Sequence, residues 1–136
     1  MDFLSYLSGR RRMPDSKKRT TLAEEFASDR SRILYSSPFR RLGQKTQVFP
    51  MQSNASVRNR TTHTLEVADV GRLIAQKVSE ELINQKLLPI NAQLPFVLLV
   101  ENACLMHDLG NPPFGHFGEE AIRHWFKENW QNCYKK

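Results

Sequence analysis

The stretch 96-FVLLVENACLMHDLGNPPFGHFGE-119 gives the clearest indication of how this chain folds. Residues 96–106 are apolar on almost every side, which is typical of a central helix enclosed by its neighbours. Gly110 is well placed to end this helix, and the two prolines that follow prevent it from resuming. We therefore predict a buried helix whose last turn carries His107 and Asp108.

An ionised aspartate at this position would be destabilising. Asp108 would face the negative end of the helix dipole and lose hydration, at a cost on the order of kcal/mol unless a cation or a donor compensates. A metal ion would supply that compensation. The simpler alternative is that Asp108 accepts hydrogen bonds in the turn while His107 packs, and for an isolated His-Asp dipeptide this alternative is preferred.

A second helix is predicted from a row of apolar residues spaced three and four apart. The row consists of Val67, Val70, Ile74, Val78 and Leu82. This spacing predicts one buried stripe, with Thr61 or Thr62 capping the start of the helix. His63 would project near the stripe from the first turn, where a histidine is more often a packing residue than a ligand.

Antiparallel packing of these two helices would bring the three polar side chains together. His63 begins one buried helix, whereas His107 and Asp108 end the other. Imidazole and carboxylate ligands without a thiolate suit manganese, magnesium, iron or zinc, and the residue types alone do not choose among them. The pattern thus favours a divalent metal site over an isolated packing motif.

Residues 114–126 predict a further helix after the prolines. Its apolar stripe consists of Ile122, Trp125 and Phe126. Glu119 follows His116 by three residues and can share its face of the helix. A carboxylate there can fix the tautomer of an imidazole that donates a proton to a leaving oxygen. The alternative is a helix-start glutamate beside a surface histidine, and the spacing does not separate the two.

The N-terminal half predicts a short helix followed by a turn and an irregular segment. Leu22, Phe26, Ile33 and Leu34 have roughly helical spacing. Helix breakers follow at Pro38, Gly43 and Pro50. No internal repeat and no persistent alternation of apolar and polar residues is present, so the fold class is predicted to be all-α.

Composition and cysteine content restrict the class of protein. A chain of 136 residues with 40% hydrophobic residues fits one globular domain. Cys104 and Cys133 have no CxxC spacing, which argues against a disulfide framework and favours a reducing cytoplasm. No apolar run is long enough to span a bilayer, and the N-terminus has no apolar core of signal-peptide length. We expect no membrane partner.

Much of the net charge of +6 is concentrated near the N-terminus. Residues 1–20 hold six basic and two acidic side chains, a net charge of +4, whereas residues 21–136 carry +2. We interpret residues 1–20 as a basic arm that is solvated or loosely docked, with binding to single-stranded nucleic acid as the alternative. Residues 21–136 then form the folded part.

Four segments in order resemble a known family. They are SSPFRRLGQKTQVFP (36–50), VRNRTTH (57–63), THTLEV (62–67) and CLMHDLGNPPFGHFGEEAI (104–122). Together they resemble the HD-domain deoxynucleotide triphosphohydrolases, specifically the bacterial deoxyguanosinetriphosphate triphosphohydrolases, over residues 23–126. An HD pair alone would be weak evidence, whereas the four segments together are specific.

The resemblance implies a helical HD-domain fold around one divalent metal ion. The ligands would be His63, His107, Asp108 and a further aspartate from well downstream. Manganese or magnesium is the first choice, with iron, cobalt or zinc as alternatives. No aspartate follows Asp108, so residues 21–136 are expected to be the N-terminal part of a larger helical enzyme.

The same resemblance implies roles for four other residues. His116 and Glu119 match the proton-transfer pair, Arg60 an arginine that contacts phosphate, and Gln47 a residue that contacts the sugar 3'-hydroxyl. The reaction would be hydrolysis of dGTP to deoxyguanosine and triphosphate. The turn at residues 110–115 would then place the proton-transfer helix facing the metal. Without the resemblance, Arg60 would be a solvated helix-start arginine and Gln47 an ordinary loop residue.

Two other functions stay open. One is an HD phosphohydrolase that acts on another dNTP or on a phosphodiester. The other is an inactive fragment or subunit whose basic arm binds nucleic acid or another protomer. The resemblance also implies a homo-oligomer. Trp125, Phe126 and Trp130 would pack either on further chain or on a partner.

Overall fold

The structure is a computed structural model that describes residues 7–10, 19–44, 59–112 and 114–133. These residues form five α-helices and two short 3₁₀ turns. The helices are α1 (Leu22–Tyr35), α2 (Ser37–Arg41), α3 (Arg60–Asn84), α4 (Gln93–Met106) and α5 (His116–Cys133), and the turns are Leu42–Gln44 and Ile90–Ala92. No strand occurs in the described ranges, which confirms the all-α prediction. The expected irregular segment after Gly43 lies mostly outside them.

Side-chain caps define both ends of α1. The hydroxyl of Thr21 accepts a hydrogen bond from the backbone N–H of Glu24. Hydrogen bonds from the backbone N–H and the hydroxyl of Thr20 to Glu24 lower the pKa of that carboxyl. At the other end, Ser36 donates to the carbonyl of Ile33 at 2.7 Å and accepts from the N–H of Phe39. One hydroxyl thus ends α1 and begins α2.

The predicted break near Pro38 is present, since α1 ends at Tyr35 and Ser36 has an extended backbone. The short helix α2 that follows was not predicted. Pro38 lies in its first turn, where a proline is tolerated because the first N–H groups of a helix have no intrahelical acceptor.

Helix α3 begins at Arg60, two or three residues earlier than a cap at Thr61 or Thr62 would allow. The N-cap is Asn59, whose side-chain oxygen accepts from the N–H of Thr62 at 2.9 Å. The hydroxyl of Thr62 accepts in return from the N–H of Asn59 at 3.1 Å. The predicted cap at Thr61 or Thr62 was thus wrong in position, because Thr62 completes the capping box from inside the helix.

The buried face of α3 is not the predicted stripe. Val70, Ile74 and Val78 are 54%, 58% and 44% exposed. The buried positions are small residues: Thr64, Ala68, Ala75 and Ser79. Gly71 continues this face, and a Cβ atom at Gly71 would overlap the sulfur of Cys104. The small face is buried because it lets the backbones of α3 and α4 approach closely.

Helices α3 and α4 run antiparallel. Midway along α3, Gly71 contacts Cys104 in the last turn of α4. Near its end, Ser79 accepts a hydrogen bond from the side chain of Gln93, the first residue of α4. The predicted antiparallel packing is therefore confirmed.

Helix α4 is covered on two sides, not on every side as predicted. Leu94, Leu99 and Met106 are 58%, 36% and 47% exposed. Helix α3 covers one side of α4 and α1 covers another. The other side carries these apolar residues at the surface of the described fold.

Two polar contacts fix α1 on α4. The guanidinium of Arg30 lies 2.7 Å from the buried carboxylate of Glu101. The side-chain amide of Asn102 donates to the carbonyl of Phe26 at 2.8 Å. The carboxylate of Glu101 and the amide nitrogen of Asn102 thereby gain partners, which orients one helix on the other.

The core consists of two clusters at opposite ends of α4. One contains Phe39, Leu42, Ala68 and Leu105 and lies near the end of α4. The other contains Leu7, Leu88 and Ala92 and lies near its start. Leu7 belongs to the described part of the basic arm, so this part is docked. Residues 1–6 and 11–18 lie outside the described ranges.

Helix α5 carries its predicted apolar stripe at the surface. Ile122, Trp125, Phe126 and Trp130 are each 44–55% exposed. Phe126 stacks edge-on against Trp125 and Trp130, with ring centroids 5.1 and 6.3 Å apart. Across the described residues, no helix is both long and apolar enough to cross a membrane.

Candidate active site

The antiparallel pair of helices brings His63 and His107 together. Their ring centroids are 5.3 Å apart, and the ring planes meet at 72°. His63 lies in the first turn of α3, and His107 is the C-cap of α4. The expected approach of these two imidazoles is confirmed, although the residues are far apart in sequence.

The backbone fixes the orientation of one imidazole. Nδ1 of His107 lies 2.7 Å from the carbonyl oxygen of Cys104. Because a carbonyl oxygen only accepts, Nδ1 must carry the proton in this contact. The lone pair of the neutral ring is then on Nε2, the atom with which this imidazole could bind a metal ion.

Asp108 is buried at the end of α4 and is 8% exposed. Its Oδ1 atom accepts from the side-chain amide of Asn111 at 2.7 Å and lies 3.9 Å from Nη1 of Arg60. The compensation that a buried aspartate needs thus comes from one neutral donor and one cation. Oδ2 is also buried and has no hydrogen-bond partner among the described residues.

Arg60 is not the solvated helix-start arginine of the simpler alternative. Its side chain is only 14% exposed. Its Nη1 atom is buried and has no hydrogen-bond partner in the described part of the chain. A guanidinium with unused donors therefore lies beside Asp108, where it can meet an anionic ligand.

The turn after α4 has the left-handed backbone that the glycine predicted. Gly110 has a φ of 89°. Two further residues before α5, Phe114 and Gly115, also have positive φ values, of 67° and 52°. This conformation costs roughly 1–2 kcal/mol at Phe114, because its Cβ atom crowds the backbone. Pro113 lies outside the described residues.

His116 and Glu119 form the predicted pair at the start of α5. Nδ1 of His116 lies 3.2 Å from Oε2 of Glu119. The side chain of His116 is fully exposed and that of Glu119 is 46% exposed, so the pair lies at the surface of the described fold. The contact agrees with the spacing argument, and the proton-transfer role stays a prediction. Gln47 lies outside the described residues.

The three predicted metal ligands form only part of a site as they stand. Within the described ranges, no three His, Cys, Asp or Glu side chains are grouped so that they could hold one ion. His63 and His107 are adjacent, whereas the carboxylate of Asp108 is directed toward Arg60 and Asn111. The donor types fit a divalent cation, and the buried Oδ2 without a partner supports this fit.

Sequence reasoning missed two groups that position the site. The first is the carbonyl of Cys104, which any residue type supplies and which therefore leaves no sequence signal. The second is Asn111, three residues after Asp108. The predicted turn at Gly110 was the available signal, because a chain that reverses there can bring residue 111 back toward residue 108.

Comparison with known proteins gives one family and a group of similar chains. The sequence model of the HD-domain family matches residues 60–133. A protein from Klebsiella pneumoniae (strain 342) is 50% identical over 135 residues, which cover 94% of this chain and 27% of that protein. A protein from Cronobacter sakazakii (strain ATCC BAA-894) is 57% identical over 107 residues, which cover 76% of this chain and 21% of that protein. Both are named deoxyguanosinetriphosphate triphosphohydrolase.

The chain spans about a quarter of the length of these relatives. A third, from Salmonella arizonae (strain ATCC BAA-731 / CDC346-86 / RSK2980), bears the same name and is 56% identical over 107 residues, again 21% of its length. The match to the HD-domain family spans residues 60–133, a range that contains the predicted ligands on α3 and at the end of α4.

Proposed function

This chain belongs to the HD-domain family, and from that premise we propose that it supplies part of the active site of a metal-dependent dGTP triphosphohydrolase. The reaction is hydrolysis of dGTP at the α-phosphorus to give deoxyguanosine and triphosphate. The relatives that bear this name are 49–57% identical to the chain over the aligned residues. That similarity supports the choice of substrate.

The observation that carries the proposal is the position of the imidazole of His63 beside that of His107, which is followed in sequence by the buried Asp108. These three residues would hold one divalent cation, with Nε2 of His107 and Oδ2 of Asp108 as donor atoms. Manganese or magnesium is the first choice, and iron, cobalt or zinc are alternatives. When bound, the ion activates water and polarises a phosphoryl oxygen.

Arg60 binds the triphosphate in this proposal. Its guanidinium is held at the site by Asp108 but keeps a buried donor without a hydrogen-bond partner among the described residues. An arginine in that state can neutralise charge that develops on the phosphoryl oxygens. Gln47, outside the described residues, is proposed to contact the sugar 3'-hydroxyl.

His116 donates the proton to the departing 5'-oxygen of deoxyguanosine. The carboxylate of Glu119 accepts from Nδ1 of His116 across 3.2 Å. This contact leaves Nε2 as the proton-donating atom and orients the ring. The pair would work only when the substrate reaches the start of α5, because both side chains are exposed.

We extend the proposal to partners and location. Residues 1–20 form a basic arm with single-stranded nucleic acid as its candidate ligand, and residues 21–136 form the N-terminal part of the phosphohydrolase domain. The protein is proposed to be a homo-oligomer, with Trp125, Phe126 and Trp130 available for packing. Both cysteines are free, which agrees with a cytoplasmic location.

The test is product analysis with dGTP and Mn²⁺. Chromatography of the nucleosides and ³¹P NMR of the phosphates should show deoxyguanosine and intact triphosphate in equal amounts. Stepwise release of phosphate would contradict the proposal. Hydrolysis of dATP or of a phosphodiester in preference to dGTP would favour the alternative HD phosphohydrolase. Mn²⁺ binding without any hydrolysis would favour an inactive fragment or subunit.

A further inference from the structure

We propose that Asn111 is a positioning residue for Asp108 and sets which carboxylate oxygen receives the metal ion; this inference rests on the proposed function. The side-chain amide of Asn111 donates to Oδ1 of Asp108 at 2.7 Å. This contact is much shorter than the 3.9 Å between Nη1 of Arg60 and the same oxygen.

The turn after α4 makes this contact possible. The N–H of Leu109 donates to the carbonyl of Met106 at 3.0 Å, which continues the tight winding past the end of the helix. Gly110 then adopts a φ of 89°, and no atom lies within 4 Å of where its Cβ would be. The left-handed residue reverses the chain, so that the side chain of Asn111 reaches back to Asp108.

The contact gives the two carboxylate oxygens of Asp108 different roles. Oδ1 is occupied by the amide of Asn111, whereas the buried Oδ2 has no hydrogen-bond partner among the described residues. Donation to Oδ1 would hold the carboxylate plane and leave Oδ2 as the oxygen that could bind the metal ion. Groups that hydrogen-bond to metal-binding carboxylates commonly have this role.

A neutral amide is better suited than a cation to orient the Asp108 carboxylate for metal binding. Asn111 donates a hydrogen bond without adding charge, so Asp108 keeps the negative charge that attracts a divalent ion. Arg60 lies farther away and brings a positive charge, which opposes metal binding through Coulomb repulsion. The amide therefore orients the ligand while preserving its electrostatic attraction for the metal.

The experiment measures Mn²⁺ affinity of the 136-residue chain by electron paramagnetic resonance of the free ion. Asn111→Leu keeps the branched shape of the side chain but removes the donor. We expect the Mn²⁺ dissociation constant to rise roughly 10–100-fold. The matched control is Asn129→Leu, which removes an amide donation of 2.9 Å to the carbonyl of Trp125 in α5 and should leave the dissociation constant unchanged.

A second measurement separates positioning from a purely structural role. Thermal unfolding of the metal-free variants gives the stability effect alone, and far-UV circular dichroism reports folding. Weaker Mn²⁺ binding by a folded Asn111→Leu variant supports the inference. A lower melting temperature with unchanged Mn²⁺ affinity overturns it. If Asn111→Leu does not fold, Asn111→Ala removes the same donor with less crowding and is judged by the same criterion.

The outcomes also distinguish this inference from the proposed function. Wild-type binding of Mn²⁺ that is unaffected by loss of the Asn111 amide overturns only the positioning role. If the folded wild-type chain binds no Mn²⁺, the result contradicts the metal site of the proposed function, and the positioning role fails with it.

Discussion

Nη1 of Arg60 lies 3.9 Å from Oδ1 of Asp108 and joins the first residue of α3 to the turn after α4. Both side chains are largely buried. The pair links the candidate phosphate-binding residue to a candidate metal ligand, so a change at either residue should alter stability and ligand binding together. Loss of Arg60 should lower stability without weakening metal binding, so the two effects can be measured separately at this pair.

Replacing Arg60 by methionine should lower stability without weakening metal binding. The change leaves the buried carboxylate of Asp108 without its cation, and we expect the free energy of unfolding to fall by about 1–3 kcal/mol. Urea unfolding measures this loss. Mn²⁺ affinity should stay the same or increase, because a repelling charge has been removed. Arg123→Met, an exposed change in α5, is the control, and a loss of Mn²⁺ affinity in Arg60→Met alone would contradict the argument.

His63→Ala should weaken Mn²⁺ binding at least about tenfold, because the change removes one of the two adjacent imidazoles. Isothermal titration calorimetry with Mn²⁺ gives the affinity. The matched variant is His124→Ala, which changes an exposed histidine that is 3.6 Å from Glu128 in α5. Equal affinities for the two variants would show that His63 is not a ligand.

Gly71→Ala tests the close packing of α3 on α4. An alanine normally stabilises a helix relative to glycine by about 0.5–1 kcal/mol. Here the new methyl group would overlap the sulfur of Cys104, so the free energy of unfolding should fall by about 1–3 kcal/mol instead. In a Cys104→Ala background the same change should be neutral or stabilising. If chemical denaturation shows no difference between the backgrounds, the two helices are not in contact at Gly71.

Gly110→Ala should destabilise the turn through the backbone alone. No atom lies within 4 Å of the added Cβ, yet the φ of 89° is unfavourable for any residue with a side chain. We expect a loss of about 1–2 kcal/mol in urea unfolding. The comparison is Gly43→Ala, where no positive φ is recorded and the new Cβ would meet the hydroxyl of Thr61 at 3.5 Å. Equal losses for both variants would contradict the backbone explanation.

Four of the five helices in the described part of the chain were predictable, because their apolar residues and end signals are local features of the sequence; α2 was not predicted. The approach of His63 to His107 was also predictable, since it needed only two adjacent antiparallel helices. The buried face of α3 was not, because Ala68 and Ala75 carry a weak hydrophobic signal beside Val70 and Ile74. Close packing at Gly71 selected the small residues, and that choice depends on α4.

The candidate site was predictable in its residue types and less so in its contacts. The need of Asp108 for a compensating group followed from its place at a helix end. The identity of that group did not, because Arg60 and Asn111 reach Asp108 through tertiary packing and through the left-handed turn at Gly110. Neither tertiary packing nor this turn produces a periodic pattern in the sequence.

The imidazole of His107 is anchored to a main-chain carbonyl at position 104. Every amino acid has that oxygen, so this restraint withstands any point mutation at position 104 that preserves the path of the chain. An imidazole orientation secured in this way tolerates sequence drift next to it, and random mutagenesis would disturb it mainly through changes that unwind the last turn of α4.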